Sequence, residues 1–431
     1  MAYGSDSRER VPALRRLIEK SLNSDQPLEA AEHLALLLEL LPQNDWAGRA
    51  AALAELGQAF ERTHRIADAR SAFTAIKTLK APSPLRERLR IEAAERLGLL
   101  AMRRRDLRDA RRNFSEALSF IAGDEDNATK IRLENYIASV DMREGNIEKA
   151  VERFERSAAV AERLLSPDER RAVANNELGE ALLSFGRPAE AVEILQKELS
   201  LADQGKDPEK IASRHYLLGN ALRHDKISKI DEARAHYEEG LRLAREHRLV
   251  ETQVRLLNGL GNLMLKIGRP KEALAHYQEG LKLAQQIEGE TTGVEIMIGM
   301  GLAAQKMATP DNTIEYFEAA LDFSSAPRSS AAGLIRRYRP TIFISLGDAY
   351  FQKHDLAHAE DYLKKALAMD KKQRLTPDIR YSLYGTFAEL ALERGDRESA
   401  LRYMPTIEAI AKSFPPAMDH LTKLKRRLES V

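Results

Sequence analysis

The sequence predicts an all-α chain built as an α-solenoid of stacked helix pairs, and three observations carry that prediction. A phrase recurs in register: Leu-Gly, a large residue three on, Ala twelve after the Gly, then an aromatic or Leu, then a small residue. Clear copies are Leu260-Gly261, Met264, Ala273, Tyr277 and Gly280, and Leu346-Gly347, Tyr350, Ala359, Leu363 and Ala366. Each copy holds two segments with helical apolar spacing, split by a Gly- or Pro-bearing turn. No alternating, β-type run occurs. Such stacks usually hold other molecules rather than transform them.

The Gly-site anchors are Ile18, Gly57, Gly98, Ala138, Gly179, Gly219, Gly261, Gly301, Gly347 and Ala388, with gaps of 39, 41, 40, 41, 40, 42, 40, 46 and 41. The small residue twelve later is Ala30, Ala69, Ala110, Ala150, Ala191, Ala273, Ala359 and Ala400. Two copies deviate: Ala233 lies fourteen after Gly219, predicting a turn grown by two residues, and Thr313 follows Gly301. Four residues after the small site come Leu34, Phe73, Phe114, Phe154, Leu195, Tyr237, Tyr277, Phe317, Leu363 and Met404.

The unit from Thr252 to Gln286 shows why each copy folds as a helix pair. Leu257, Leu260, Met264 and Leu265 share one helical face, and Ala273, Tyr277 and Leu281 share another. Gly268-Arg269-Pro270 separates them, because Gly ends a helix readily and Pro suits the first turn of the next. Gly186-Arg187-Pro188, Gly145-Asn146 and Gly395-Asp396 repeat the device. The Gly261 and Ala273 sites are expected to be small because the two helices cross closely there.

The pattern resembles the tetratricopeptide repeat (TPR), over about Val11 to Ser413. The resemblance implies a right-handed superhelix of about ten helix-turn-helix repeats. The period near 40 exceeds the ~34 residues of the common form, and most copies lack the early Trp. The chain's only Trp, Trp46, is expected in the connection before the second repeat. Long units of this kind are similar to those of kinesin light chains, Pins-type adaptors and bacterial peptide-pheromone receptors. That likeness implies peptide binding in an inner groove.

The expected organisation is a disordered N-terminus over 1–10, a main array over 11–323, an irregular loop or hinge over 324–333, two further repeats over 334–413, and a capping helix over 414–431. Met1-Ala2-Tyr3-Gly4-Ser5 reads as an added leader. After Pro415-Pro416, Met418, Leu421, Leu424 and Leu428 form an apolar stripe beside Lys423, Lys425, Arg426 and Arg427, as the end of a solenoid requires.

Composition narrows the function. The formal net charge is +1, which argues against a dedicated nucleic-acid or acidic-membrane binder. The chain has no Cys, which excludes disulfides, thiolate metal sites and Cys nucleophiles and fits a reducing, cytoplasmic setting. No apolar run approaches the ~20 residues of a membrane span. Abundant Ala and Arg suggest a bacterial source.

No catalytic constellation converges, so the chain reads as a non-enzyme with no cofactor and no metal. His354 and His358 are four apart, a spacing that can put two zinc ligands on one helical face, but no acidic HExxH context accompanies them. His236 and His276 precede Tyr237 and Tyr277 in matching repeats and read as inherited positions. Arg103, Arg104, Arg105, Arg108, Arg111 and Arg112 span one turn, with Asp106 and Asp109 among them and no aromatic residues for base stacking, so they read as solvated surface.

The remaining signal is a second stripe on each first helix, at motif positions two, five, nine, twelve and thirteen. In TPR proteins this stripe lines the inner surface. Position five gives Asn135, Asn176, Tyr216 and Asn258, and position nine gives Ser139, Glu180, Asn220 and Asn262. Asn is a poor helix former, and its amide can pair with an extended peptide backbone or with a neighbouring helix. Arg132, Arg143, Arg223, Arg255, Lys266 and Lys306, with His224, make the central stripe positive against Glu180 and Glu295. The last two repeats carry Asp348, Glu389 and Glu393. The first repeats are mixed, with Glu61, Arg62, Glu92, Glu95 and Arg103.

These residues point to a protein-interaction scaffold whose groove, about Arg132 to Lys306, takes an extended acidic segment of a protein or peptide partner. The alternatives are the sensor or scaffold region of a larger bacterial regulator, and a self-associating scaffold.

Overall fold

In a computed structural model of the chain, each recurrent glycine of a first helix receives a side chain from the second helix of its own pair. A Cβ on Gly57 would lie 2.4 Å from the Phe73 ring, one on Gly98 2.4 Å from Phe114, and one on Gly261 2.4 Å from Tyr277. Gly179, Gly219, Gly301 and Gly347 meet Leu195, Tyr237, Phe317 and Leu363 in the same way. The glycine of the repeated phrase is thus a seat for the large residue four beyond the small site. Its smallness serves that ring rather than a close crossing of backbones.

The structure describes residues 6–24, 26–121, 127–166, 177–287, 290–324, 332–373, 375–412 and 417–430. Among them lie 21 helices and no strand. The chain divides into two compact units, Met1–Gly205 and Lys206–Val431. The first holds α1 (Asp6–Asn23), α2 (Pro27–Leu40), α3 (Trp46–Arg62), α4 (Ile66–Lys77), α5 (Leu85–Arg103), α6 (Leu107–Ser119), α7 (Ala128–Arg143), α8 (Ile147–Leu164), α9 (Glu177–Ser184) and α10 (Pro188–Gly205). The second holds α11 (Pro208–Arg223), α12 (Ile230–Glu246), α13 (Val250–Lys266), α14 (Pro270–Ala284), α15 (Glu290–Lys306), α16 (Pro310–Ser324), α17 (Ala332–Gln352), α18 (Leu356–Gln373), α19 (Pro377–Glu393), α20 (Arg397–Ala411) and α21 (Met418–Ser430).

Odd- and even-numbered helices from α1 to α20 pair as the repeat predicts, and within each unit every pair packs on the next. In the second unit the first helices α11, α13, α15, α17 and α19 also pack on one another in succession, and α21 continues that row. The second helices of that unit do not pack on one another to a comparable extent among the described residues. The first helices therefore form the shorter, inner layer there.

Local chemistry starts and stops the helices. Asp45, Asp106, Asn127, Asp207 and Asp396 accept from the backbone N–H three residues on, at 2.9–3.2 Å. Each such cap contributes about 1 kcal/mol. Pro27, Pro208, Pro270 and Pro377 occupy first-turn positions where no donor is lost. Within pairs the turn is a left-handed residue followed by an N–H that reaches back five residues, as Arg269 does to the Met264 carbonyl at 2.9 Å.

Gly145, Gly186, Gly268 and Gly395 fill the left-handed position, as the sequence suggests, but His64, Arg105, Ala308 and His354 adopt it as well. The turn after α11 is longer, with Ser228 left-handed, which accommodates the two extra residues before Ala233.

Two expectations are revised, and a third falls outside the described residues. Trp46 is the first residue of α3, behind its Asp45 cap, and packs into the core around Phe73 and Leu89. Met418 is 48% exposed, and Ala417 takes its place in the apolar stripe of the last helix with Leu421, Leu424 and Leu428. Most of the 324–333 connection and all of Phe414-Pro415-Pro416 lie outside the described residues.

Candidate functional site on the inner helices

The site of the second unit is organised by two buried tyrosines. The Tyr237 ring is wholly buried, between Gly219 of its own repeat and Gly259 of the next. Its hydroxyl emerges beside α11, donates to Asn220 Oδ1 at 2.8 Å, and accepts from Arg223 Nε at 3.3 Å. Burial pushes the phenol up to about 12, against the opposing pull of Arg223. The hydroxyl therefore keeps its proton near neutrality and remains a donor. Tyr216 stands beside it, with ring centroids 6.4 Å apart.

Tyr277 repeats the arrangement one unit later. Its ring lies between Gly261 and Gly299, and its hydroxyl donates to Asn262 Oδ1 at 2.8 Å. Asn262 Nδ2 approaches Asn258 Oδ1 at 3.5 Å, and Asn258 Nδ2 donates to Glu295 Oε2 on α15 at 3.3 Å. Burial raises the Glu295 pKa, while Arg255 and Arg337 act against it. The donors of this row all run toward one carboxylate. Asn258 and Asn262 are thereby engaged between helices, whereas Asn220 keeps its Nδ2 without a partner among the described residues.

The cations differ in availability. Lys266 Nζ donates to the Arg223 carbonyl at 2.7 Å and pairs with Asp225. Arg255 is exposed and pairs with Glu251 at 2.6 Å. Lys306 is exposed and has no hydrogen bond or ion pair among the described residues. Asp225 and Glu251 lie outside the stripe read from the sequence, so its local positive charge is smaller than the stripe alone implies.

In the first unit Arg132 makes a two-pronged pair with Glu95 on α5, at 2.8 and 3.1 Å. Asn135 is buried, and its carbonyl accepts from Ser139 Oγ at 2.9 Å. Arg143 is exposed with no hydrogen bond or ion pair among the described residues. Burial raises the pKa of neighbouring Glu177, opposed by Ser139 and Arg143. Asn176 lies outside the described residues.

Other sequence signals resolve into structural roles. Arg111 pairs with Asp141 at 2.7 Å and Glu144 at 2.8 Å, Arg112 with Asp109, and Arg103 with Glu61 at 3.7 Å. The basic run thus joins repeats. His354 occupies the left-handed turn position, and His358 Nδ1 is 2.7 Å from its own cap residue Asp355, so the two do not share a helical face. Among the described residues no group of three or more His, Asp or Glu side chains forms a metal cluster. No described helix is long and apolar enough to cross a membrane. His215 and His236, which no motif links, meet Nδ1 to Nδ1 at 2.9 Å.

Fold and site define a helical-repeat module with a polar inner face. Family models described as tetratricopeptide repeat match residues 129–204 and 340–373. Among solved structures, a tetratricopeptide-repeat sensor protein of the STAND signal transduction ATPases from Pyrococcus horikoshii matches with a TM-score of 0.62 at 16% identity, over 90% of this chain and 56% of that one. The apo form of RapI matches with a TM-score of 0.54 at 15% identity, over 86% of this chain and 99% of that one. A Rap protein complexed with competence and sporulation factor matches with a TM-score of 0.54 at 14% identity, over 87% and 100%. No curated protein matches the sequence. The chain thus carries tetratricopeptide repeats within an all-α solenoid.

Proposed function

We propose that this chain is a non-enzymatic protein-interaction scaffold and that the inner face of its second unit binds an extended, acidic segment of a partner protein. One observation carries the reading: Asn220, Arg223, Arg255 and Lys306 stand on successive inner helices, and Asn220 and Arg223 are braced from behind by a buried phenol. Polar groups held in place lose less entropy on binding than free surface side chains. Donors and cations suit carboxylates and backbone carbonyls, and a local positive field steers an acidic chain toward them. The likeness to a Rap protein solved with competence and sporulation factor supports a ligand-holding role for such a fold. Tyr216, Asn258, Asn262 and Lys266 of the same unit complete the proposed contact set.

The test is an unbiased pull-down with the wild-type chain and with the Arg223→Glu/Arg255→Glu double variant, whose helicity is checked in parallel. The reading expects partners rich in acidic segments that are lost from the double variant. An identical set of partners from both proteins would remove the inner-face assignment.

A further inference from the structure

The slot that holds Tyr237 needs no hydroxyl. Equivalent glycine seats hold Phe73, Phe114 and Phe317, which are equally buried. A buried hydroxyl costs free energy unless it is hydrogen-bonded, so its presence at Tyr237 calls for a use.

The bonding pattern supplies one. The phenol has a single proton, and Arg223 Nε donates into its oxygen. Its own proton goes to an acceptor, and Asn220 Oδ1 at 2.8 Å is that acceptor. The amide is therefore locked with its oxygen inward and its Nδ2 away from the phenol. Arg223 is likewise held by Nε, which leaves its terminal nitrogens without a partner among the described residues. The two residues are three apart on α11 and share one face. What they have left to offer is donors only. The nearby carboxylate of Asp225 is taken by Lys266.

We infer that Tyr237 is a positioning residue that holds Asn220 and Arg223 as one donor-only subsite for a carboxylate of the bound segment. This rests on the binding role proposed above and names the group that the α11 end of the face receives. The next repeat provides an internal control. Tyr277 holds Asn262 in the same way, but the residue matching Arg223 there is Leu265, and the Asn262 amide faces Asn258.

The experiment measures binding of fluorescently labelled decaglutamate to the full chain, with Tyr237→Phe, Tyr277→Phe, Arg223→Gln and the Tyr237→Phe/Arg223→Gln double variant. Phe is native to equivalent seats, so the Phe variants should fold. Tyr237→Phe should weaken binding about tenfold, the loss expected for a charge-assisted hydrogen bond. Tyr277→Phe should change it by less than about twofold, while both variants lose similar stability. In the double variant the two losses should not add. Wild-type affinity in Tyr237→Phe, or an equal loss in Tyr277→Phe, would overturn the positioning role while leaving the binding face intact. A wild-type chain that does not bind the probe would overturn the acidic-segment reading and this subsite with it.

Discussion

The Tyr277 hydroxyl crosses from a second helix to the inner layer and donates to Asn262 Oδ1 at 2.8 Å, while its ring fills the gap between Gly261 and Gly299. One side chain thus joins packing to the polar face. Tyr237 does the same with Asn220. In both repeats the position-nine Asn accompanies a Tyr, and the repeats that seat Phe73, Phe114 or Phe317 carry Gln58, Leu99 and Leu302 there.

The space around the Tyr277 ring has no room for a Cβ. Gly299→Ala would put one 2.5 Å from the Tyr277 ring, and overpacking of this kind costs about 1–3 kcal/mol. Gly293→Ala on the same helix meets nothing within 4 Å and should gain up to ~1 kcal/mol from helix propensity. Urea unfolding of both variants checks the contrast, and equal stabilities would contradict it.

The turns invite the reverse test. Gly268 has φ 73°, so Gly268→Ala should destabilise the chain by about 1 kcal/mol through left-handed strain. Ala308 holds φ 53° in the equivalent turn, and Ala308→Gly should relieve strain there. Thermal melts of the two variants should move in opposite directions.

Asp141 is buried, with Arg111 at 2.7 Å and Arg153 at 3.0 Å. Asp141→Ala removes the partner shared by two arginines, which keep Glu144 and Glu134, and should cost about 1–3 kcal/mol. A loss below about 1 kcal/mol, the range of a surface pair, would show that the bridge is screened by water.

The His215–His236 contact implies a pH response. Burial lowers the His236 pKa, against the opposing effect of Glu232, and burial likewise lowers His276. Glu239 faces His215. As pH falls through about 6.5, the unfolded chain binds these protons before the folded one, so stability declines until the folded pKa is reached. Glu177, Glu295 and Asp348, all raised by burial, act in the opposite sense, since folding favours their protonated forms above the usual carboxylate value. Comparing His236→Gln with wild type cancels that background. Its melting temperature should fall less between roughly pH 7.5 and 5.5, and parallel curves would refute the assignment.

The repeat was legible because the Gly seat, the small site and the ring recur at fixed spacings, which fixes pairing and helical faces. The inner stripe was legible for the same reason, as spacing fixes a face. Spacing does not reveal what lies across a neighbouring helix. Tyr237 and Asn220 are seventeen apart, and Asn258 and Glu295 thirty-seven. Both contacts depend on how one helix sits on the next, so the amides' structural bonds stayed hidden. The acids that temper the stripe were missed because Asp225 lies in the lengthened turn and Glu251 at the start of α13. His64, Arg105, Ala308 and His354 gave no turn signal because their left-handed backbone is imposed by the helices around them.

Hydrogen exchange of the full chain, with and without saturating decaglutamate, tests the central claim most directly. Added protection should fall on the inner helices over 208–223, 250–266 and 290–306 and spare the outer helices over 230–246 and 270–284. Protection confined to the outer helices, or none at concentrations where the probe is bound, would contradict binding on the inner face.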